Sequence, residues 1–281
     1  MKNIFLSLAA GIVLFASACG SSSEAPAPSP EEKPGVERVA SLKVMSYNIH
    51  HCNPPSKANV IDVGAIVNVI NAEKPDLVAL QEVDVNTQRS GVSLNQAAEI
   101  ATRLRMSYYF GKAIDYQGGG YGVAILSKYP LSQTVVHRLP TLPGSGGEAR
   151  VLATGIVTLP DGTQLRFGST HLDALSDPAN RQAQVDQINS IASNESLPFI
   201  IAGDFNAVNG SAIINTLDQR FQRTCSGYCA PTIPVNNPSR AIDFIAYRHP
   251  LNKFSTGSHK VIDERYASDH LPVVAVISIA E

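Results

Sequence analysis

The chain is predicted to be an α/β, or α+β, protein in which a mixed β-sheet core carries helices on its outer faces. Short apolar runs alternate with segments of helical periodicity. With 281 residues and 44% apolar content, the chain is long enough for one large core. Two polar clusters adjoin apolar runs: GDFN at 203–206 follows one, and SDH at 268–270 precedes another. Polar side chains at strand ends can converge on a substrate, so these clusters mark a candidate site.

The N-terminus has the features of an export signal. Lys2 precedes an apolar run at 4–16, which is too short to span a membrane, and we expect a signal peptide at 1–19. The segment ASACG resembles a bacterial lipobox, in which Cys19 is lipidated and becomes the mature N-terminus. The alternative is an ordinary signal peptide whose cleavage removes Cys19. The proline-rich stretch 20–39 is predicted to be a disordered tether.

Three segments have the apolar periodicity of amphipathic helices. The first has Asp62 as a possible cap and ends before Pro75, the second has Ser93 as its N-cap, and the third begins at Asp177-Pro178. The apolar residues expected to face inward are Val63, Ile66, Val67 and Ile70; then Leu94, Ala97, Ala98, Ala101 and Leu104; then Val185, Ile188 and Ile191.

The remaining apolar runs are predicted to be strands. Asp161-Gly162 is typical of a hairpin turn and joins two of them. Glu82, His171 and Asp204 follow their strands, whereas the cluster at 268–270 precedes its strand. If all face one cleft, the last strand must run antiparallel to the others, in a mixed sheet or in two packed sheets. The predicted strands are 42–48, 77–80, 121–126, 133–139, 151–159, 164–170, 199–202, 242–246 and 272–277.

The cysteines that follow the signal segment have separate expected roles. Cys225 and Cys229 lie four residues apart in a loop, where an exported protein can form a local disulfide. Free thiols are the alternative, and a zinc pair is disfavoured because no second pair of ligands lies nearby. Cys52 stands next to His50 and His51, where a metal or thiol site is one interpretation, but a buried structural cysteine is favoured. Its neighbours His50 and His51 are expected near the mouth of the cleft, and a catalytic role for them is the less favoured interpretation.

Taken singly, most candidate site residues have a plain structural explanation. Glu82 can be a solvated turn residue, and Asp204 with Asn206 can form a turn in which side chains bond the backbone. Asp243 is harder to explain in this way because apolar residues flank it on both sides. It needs a partner, and His270 is a reasonable candidate. A carboxylate bonded to an imidazole fixes its tautomer and raises its basicity.

Read together, seven motifs in order resemble the endonuclease/exonuclease/phosphatase superfamily, whose fold is that of deoxyribonuclease I. The similarity covers roughly residues 40–279, so residues 40–281 are expected to form the domain. The resemblance implies a four-layer α/β sandwich in which two packed mixed β-sheets are flanked by helices. The motifs are MSYN at 45–48, LQEV at 80–83, GVAILS at 122–127, THL at 170–172, GDFN at 203–206, IDFI at 242–245 and SDHLP at 268–272.

The resemblance also implies a metal site. Glu82 is expected to be the main Mg²⁺ ligand, with Asn48 beside it and Asp269 supporting the metal side of the site; Mn²⁺ is the alternative ion. Mg²⁺ typically keeps several waters and takes one or two carboxylates together with substrate phosphate oxygens, which suits so small a protein set.

The same resemblance implies a catalytic set for in-line attack of water on phosphorus. Asp204 would orient or deprotonate the water, and Asn206 would hold the phosphate. His270, oriented by Asp243, would stabilise the charge that develops on the pentacoordinate phosphorus, and His171 would do likewise from another strand.

Three further residues are candidates for substrate binding. Arg89 and Arg150 stand where similar bacterial proteins also carry arginine, and each is expected either to contact phosphate or to form a structural ion pair. Tyr121 is expected to lie against the phosphate. Gly122 stands where many relatives have asparagine next to the glycine-rich turn, and this departure puts one expected substrate contact in doubt.

Charge and export point to the substrate class. The 22 basic and 24 acidic residues nearly balance, and no basic run provides a footprint for nucleic acid. An exported monomer, attached to the bacterial membrane by its N-terminal lipid on the periplasmic or cell-surface side, is expected to act on a small or lipid-derived, sugar or inositol phosphoester. An extracellular nuclease is the first alternative, and a non-catalytic binding protein on the same scaffold is the second.

Overall fold

The computed structural model describes residues 38–225, 227–248 and 253–280. The predicted signal peptide, Cys19 and nearly all of the predicted tether lie outside the described residues. Within the described part of the chain, no helix is long and apolar enough to cross a membrane.

Twelve strands and four α-helices are found among the described residues. The strands are β1 (Ser41–Asn48), β2 (Leu77–Val85), β3 (Ser107–Tyr116), β4 (Gly119–Ser127), β5 (Leu131–Arg138), β6 (Val151–Thr158), β7 (Gln164–His171), β8 (Phe199–Asp204), β9 (Phe221–Arg223), β10 (Asp243–Arg248), β11 (Phe254–Val261) and β12 (Val273–Ile279). The helices are α1 (Val63–Glu73), α2 (Gln96–Leu104), α3 (Ala179–Asn194) and α4 (Ala212–Leu217), and a short 3₁₀ turn covers His50–Cys52.

The strands form two six-stranded mixed sheets. The first has the order β11-β12-β1-β2-β4-β3 and the second the order β5-β6-β7-β8-β10-β9. Each sheet has a central parallel pair, β1 with β2 and β7 with β8, and the other strand pairs are antiparallel. Parallel strands end at the same edge of their sheet, and the ends of the two pairs meet where Asn48 Nδ2 of β1 donates to Asp204 Oδ2 of β8.

The apolar core fills the three spaces between four layers, and a smaller fourth cluster, which includes Val123 of β4 and Val151 of β6, also lies between the two sheets. Leu77 and Ala79 of the first sheet pack with Phe167 and Ile200 of the second, so one part lies between the sheets. A second part joins the outer face of the first sheet to α1 and α2, and a third joins the outer face of the second sheet to α3 and α4. The predicted fold, two packed mixed sheets flanked by helices, is therefore confirmed.

A polar contact ties the two sheets together close to the strand ends. Gln81 of β2 is fully buried, and its Nε2 donates to Ser169 Oγ of β7 at 3.1 Å. Ser169 Oγ in turn donates to the carbonyl oxygen of Leu80 at 3.0 Å. Because a buried polar group without a partner is costly, this link favours one alignment of the sheets.

The structure corrects several local predictions. The N-cap of α2 is Asn95, whose side chain accepts from Ala98 N at 3.0 Å, and not Ser93. Helix α3 begins at Ala179, one residue later than predicted, with Asp177 Oδ1 accepting from Ala179 N. Strands β3, β9 and β11 and helix α4 were not predicted. The predicted antiparallel direction of the last strand is confirmed by the pairing of β12 with β1.

Candidate active site

Asp204 is the central carboxylate of the site because strand register brings two other polar residues beside it. It is the last residue of β8, where it pairs with His171 of β7 on one side and with Asp243 of β10 on the other. All three side chains are buried. A charged group in such a position needs polar partners, and the neighbouring strand ends supply them.

His270 and Asp243 form a hydrogen-bonded pair, as the sequence predicts. His270 Nδ1 lies 2.9 Å from Asp243 Oδ2, and Thr232 Oγ1 donates to the same oxygen at 2.5 Å. Burial by itself lowers the pKa of His270, but the carboxylates, Asp243 above all, outweigh it and raise that pKa well above its ordinary value. The Nε2 atom of His270 lies 3.8 Å from Asp204 Oδ2, so a positive charge is held beside this carboxylate.

His171 is an imidazole of the opposite character. Its Nε2 lies 3.5 Å from Asp204 Oδ2. Burial, aided by the positive charges of Arg150 and His270, lowers the pKa of His171 far below its ordinary value. Burial also raises the pKa of Asp204, and the neighbouring Asp243 carboxylate adds to this. A neutral imidazole and a cationic one therefore stand beside the same carboxylate.

Asn206 is fixed by its neighbours just beyond β8. Its backbone N–H donates to Asp204 Oδ1 at 2.9 Å, and its side-chain Nδ2 donates to the carbonyl oxygen of Leu172 at 3.0 Å. It has a left-handed φ of 47°, which asparagine adopts more readily than most residues. The Asp204–Asn206 turn described from the sequence is thus present, and it holds one amide at the edge of the site.

The part of the site where the metal ion is predicted includes Asn48 and Glu82 of the first sheet. Asn48 Nδ2 donates to Glu82 Oε1 at 3.1 Å and to Asp204 Oδ2 at 3.2 Å, so it joins the two carboxylates. Asp269 precedes His270, and its carboxylate acts electrostatically on both His270 and His51. Carboxylate oxygens are donors that Mg²⁺ prefers, so Glu82 and Asp269 fit such an ion. Asn48 Oδ1, by contrast, accepts from His50 N at 3.1 Å.

Glu82 does not end its strand as the sequence suggests. It lies inside β2, where the pairing with β4 shifts between Leu80 and Val83, and its φ is 57°. A bulge of this kind re-aims a side chain, and a left-handed conformation persists at a residue with a Cβ only where the surroundings hold it. The bulge interrupts the strand at the predicted metal ligand.

Ser268 joins the SDH cluster to the metal side and was not assigned a role from the sequence. Its Oγ donates to the carbonyl oxygen of Asn48 at 2.7 Å and accepts from His270 N at 3.3 Å. One hydroxyl thus fixes the turn that carries Asp269 and His270 relative to the end of β1. Ser268 belongs to the SDH motif, which is the signal that the sequence offers for it. The carbonyl oxygen to which it donates is more than two hundred residues away in the sequence, so the sequence does not predict that contact.

Arg150, Tyr121 and His171 line a small cavity, and His171 Nε2 lies 3.5 Å from Asp204 Oδ2 at its edge. Arg150 is largely buried; its Nη2 lies 3.3 Å from Glu148 Oε2, while its buried Nε has no hydrogen-bond partner among the described residues. Burial and the negative charge of Glu82 raise the pKa of Tyr121, so its hydroxyl stays protonated. These groups are hydrogen-bond donors suited to an anion.

Arg89 forms a structural ion pair, one of the two roles expected for it. Its Nε and Nη2 donate to the two oxygens of Asp84 at 2.7 and 3.0 Å. Thr87 and Ser90 hydroxyls also donate to this carboxylate. Burial by itself raises the pKa of Asp84, but these hydrogen bonds outweigh it and the pKa lies below its ordinary value. The guanidinium also lies over the ring of Tyr116 and approaches that of Tyr121.

Replacing Arg89 by methionine is expected to lower the free energy of unfolding by about 3 kcal/mol, because it leaves the buried Asp84 carboxylate without its cation. Urea unfolding at pH 7 measures this. The pKa of Asp84 is lowered on folding, so its contribution is present above its unfolded-state pKa and is lost as the pH falls through its folded-state pKa. The loss of unfolding free energy caused by Arg89→Met should therefore become smaller as the pH falls. Arg103→Met, which removes an exposed ion pair with Glu99, should cost less than about 0.5 kcal/mol. Equal losses would contradict the prediction.

Among the residues that the structure describes, two groups of side chains have ligand atoms close enough to hold a metal ion. Asp204, Asp243 and His270 form one and are all buried; His50, His51 and Glu82 form the other and are partly exposed. Within each group the ligand atoms lie within 4.8 Å of one another. In the first group, Asp243 Oδ2 accepts from Thr232 Oγ1 and pairs with His270 Nδ1, whereas the buried Oδ1 of Asp243 has no hydrogen-bond partner among the described residues.

Of the three cysteines that the structure describes, two form a disulfide, and the third, Cys52, directly follows His51 in the 3₁₀ turn. The structure has a disulfide between Cys225 and Cys229 with an S–S distance of 2.08 Å. Cys52 is a free cysteine and is fully buried, where its thiol is held protonated because burial raises its pKa. It packs in the core part that joins the first sheet to α1 and α2.

Comparison with known proteins agrees with this geometry. The model of the family described as Endonuclease/Exonuclease/phosphatase matches residues 45–270. The uncharacterized protein YbhP of Escherichia coli K12 is 26% identical over 262 residues, which cover 88% of this chain and all of that protein.

Solved structures of the family share the fold. An endonuclease/exonuclease/phosphatase from Beutenbergia cavernae superposes with a TM-score of 0.72 at 23% identity, covering 86% of this chain and 72% of that one. A mannosyl-6-phosphatase from Bacteroides thetaiotaomicron superposes with a TM-score of 0.66 at 16% identity, covering 85% of this chain and all of that one.

Proposed function

Because the chain belongs to the Endonuclease/Exonuclease/phosphatase family, whose members cleave phosphoester bonds, we propose that it is a Mg²⁺- or Mn²⁺-dependent phosphoesterase. We propose as its substrate a lipid-derived, sugar or inositol phosphoester, cleaved outside the cytoplasm by a monomer attached to the membrane through Cys19. The signal-like sequence at 1–19 supports this location.

The observation that carries the proposed chemistry is the setting of Asp204. One oxygen of this buried carboxylate lies within 4 Å of His171 Nε2 and His270 Nε2 and accepts from Asn48 Nδ2 at 3.2 Å. A structural carboxylate needs one cationic partner, whereas this one has a neutral imidazole, a cationic imidazole and an amide that also contacts Glu82. Such perturbed, converging groups are typical of a site that moves protons.

Each residue then has a role in attack of water on phosphorus. Asp204 orients the water and accepts its proton, and the cationic His270, held by Asp243, stabilises the charge that develops on the phosphoryl oxygens. His171 donates a hydrogen bond from the other side, and Asn206 holds the phosphate. Asn48, Glu82 and Asp269 would hold the metal ion, which when bound supplies Lewis-acid stabilisation of phosphoryl oxygens.

A groove beside Asn206 supports a substrate with an apolar or small leaving group. An open groove runs from Asn206 between the start of α3 and the start of α4. It is lined mainly by small and apolar residues such as Pro178, Ala207, Val208 and Ile213. A duplex nucleic acid would instead need a basic surface along its phosphates, and the chain has a formal net charge of −2. The phosphatase neighbour acts, by its name, on a mannosyl 6-phosphate, which is consistent with a sugar phosphoester.

A substrate panel tests this proposal. Purified protein with Mg²⁺ is expected to hydrolyse a bis-aryl phosphodiester, an aryl phosphomonoester or a phospholipid, with a rate that changes little between 50 and 200 mM salt. Cleavage of plasmid DNA with a rate that falls at least about tenfold over the same interval would identify the nuclease alternative. Failure on every substrate with either metal ion would support the non-catalytic alternative and contradict the proposal.

A further inference from the structure

The turn at His50–Cys52 has an unusual backbone that the proposed reaction does not explain. Three successive residues, none of them glycine, are left-handed, with φ values of 45°, 43° and 58°. A Cβ crowds the backbone in this region, so isolated left-handed residues are uncommon and a run of three is rarer still. Such a conformation persists only where surrounding contacts fix it, and it is typical of functional positions.

Contacts with β2 on both sides of Glu82 fix the turn. Before Glu82, the carbonyl oxygen of Gln81 accepts from Ile49 N at 3.1 Å. After it, the side chain of Gln96 bridges the two segments: its Nε2 donates to the carbonyl oxygen of His51 at 2.7 Å, and its Oε1 accepts from Asp84 N at 2.9 Å. The two histidines are thereby held in a defined position relative to the Glu82 bulge.

The side chains in this turn offer ligand atoms to a cation. One atom from each of His50, His51 and Glu82 lies within 4.8 Å of the other two, and all three residues are partly exposed, so an ion can enter. His50 Nδ1 lies 2.8 Å from the carbonyl oxygen of Asn53 and must carry the proton, which leaves the lone pair on Nε2. Metal-binding histidines commonly bond a backbone carbonyl through their other nitrogen in this way.

His51 is the less satisfied ring. Its Nδ1 is buried and has no hydrogen-bond partner among the described residues. The rings of His50 and His51 meet edge to face with centroids 4.6 Å apart. Within the described part of the chain, no hydrogen bond joins the two rings to each other or to Glu82, so their ligand atoms are not occupied by one another.

We propose that His50, His51 and Glu82 bind a divalent transition-metal ion, with Zn²⁺ as the ion that fits best. Two imidazole nitrogens and one carboxylate form the ligand set of open zinc sites, in which water takes the fourth position. Mg²⁺ prefers oxygen donors, so this site differs in chemistry from the oxygen-lined group of Asn48, Glu82 and Asp269. Glu82 belongs to both groups, and Zn²⁺ bound by the histidines would lie next to the phosphoesterase site.

Histidine-selective ¹⁵N NMR of the purified, untagged protein tests the proposal directly in the wild type. With millimolar Mg²⁺ present, one equivalent of Zn²⁺ is expected to shift the ring nitrogens of His50 and His51. The ring of His137, which bonds Thr154 on another strand, should not move. Assignment uses His50→Gln and His51→Gln. A shift confined to His171 or His270 would overturn the proposal.

Equilibrium dialysis with Zn²⁺ gives an independent measurement. The wild type should bind one ion that Mg²⁺ does not displace, and His50→Gln and His51→Gln should each weaken binding at least tenfold. His137→Gln is the matched control and should bind as the wild type does. Equal Zn²⁺ affinity in all variants would overturn the proposal, whereas loss of Mg²⁺-dependent hydrolysis with Zn²⁺ binding intact would count only against the proposed function.

Discussion

Replacing Asp204 by asparagine is expected to lower kcat by about a thousandfold, because a proton acceptor in the transition state typically contributes between a hundredfold and ten thousandfold. The substitution preserves the shape of the side chain, and the oxygen that accepts from Asn206 N can remain. Circular dichroism and thermal unfolding should show a folded protein. Asp186→Asn, on the exposed face of α3, is the matched control and should keep the wild-type rate.

The pH profile separates a proton acceptor from a residue that merely shapes the site. Burial and the Asp243 carboxylate raise the pKa of Asp204, so the group is protonated and inactive at a higher pH than an ordinary aspartate. We expect kcat/KM of the wild type to rise with pH as this carboxyl ionises, and the residual activity of Asp204→Asn to lack that rise. An Asp204→Asn profile that keeps the wild-type shape would contradict the assignment.

The sequence predicted the centre of each sheet better than its edges. Strands β3 and β11 are the edges of the first sheet and β9 is an edge of the second, and none of the three was predicted. Edge strands bury less of their surface, so their apolar pattern is weak; residues of β11, for example, are mostly exposed or half-buried. The central strands β2 and β8, by contrast, contain unbroken and fully buried apolar runs at 77–80 and 199–202.

In the candidate site, too, roles that follow from neighbouring residues in the sequence were predicted, and roles that depend on contacts between distant segments were not. Asp243 was assigned a partner because a carboxylate inside an apolar strand requires one, and the structure places His270 Nδ1 at 2.9 Å. Thr232, which donates to the same carboxylate, and Gln96, which holds the His51 turn, gave no such signal because their roles depend on contacts between distant segments. The bulge at Glu82 was missed because a single register shift leaves the strand pattern of its neighbours intact.

Replacing His270 by alanine is expected to lower kcat by a factor on the order of a hundred to a thousand, because it removes a cationic donor to the developing charge. Asp243→Asn should have a similar effect through a different route. It loses the carboxylate that holds His270 in one tautomer and keeps it protonated. Steady-state kinetics at saturating Mg²⁺ measure both, with unfolding curves to show that the buried substitutions leave the fold intact.

The double variant distinguishes a shared role from two separate ones. Because Asp243 acts through His270, the double variant lacking both should be little slower than His270→Ala alone, as is typical of residues that function as a unit. His171 also lies beside Asp204 but has no contact with Asp243 among the hydrogen bonds of the described residues, so His171→Ala combined with Asp243→Asn should give losses closer to the product of the single effects. If the His270 and Asp243 losses multiply as well, the carboxylate supports catalysis independently of the imidazole, and its assignment as the residue that positions His270 is wrong.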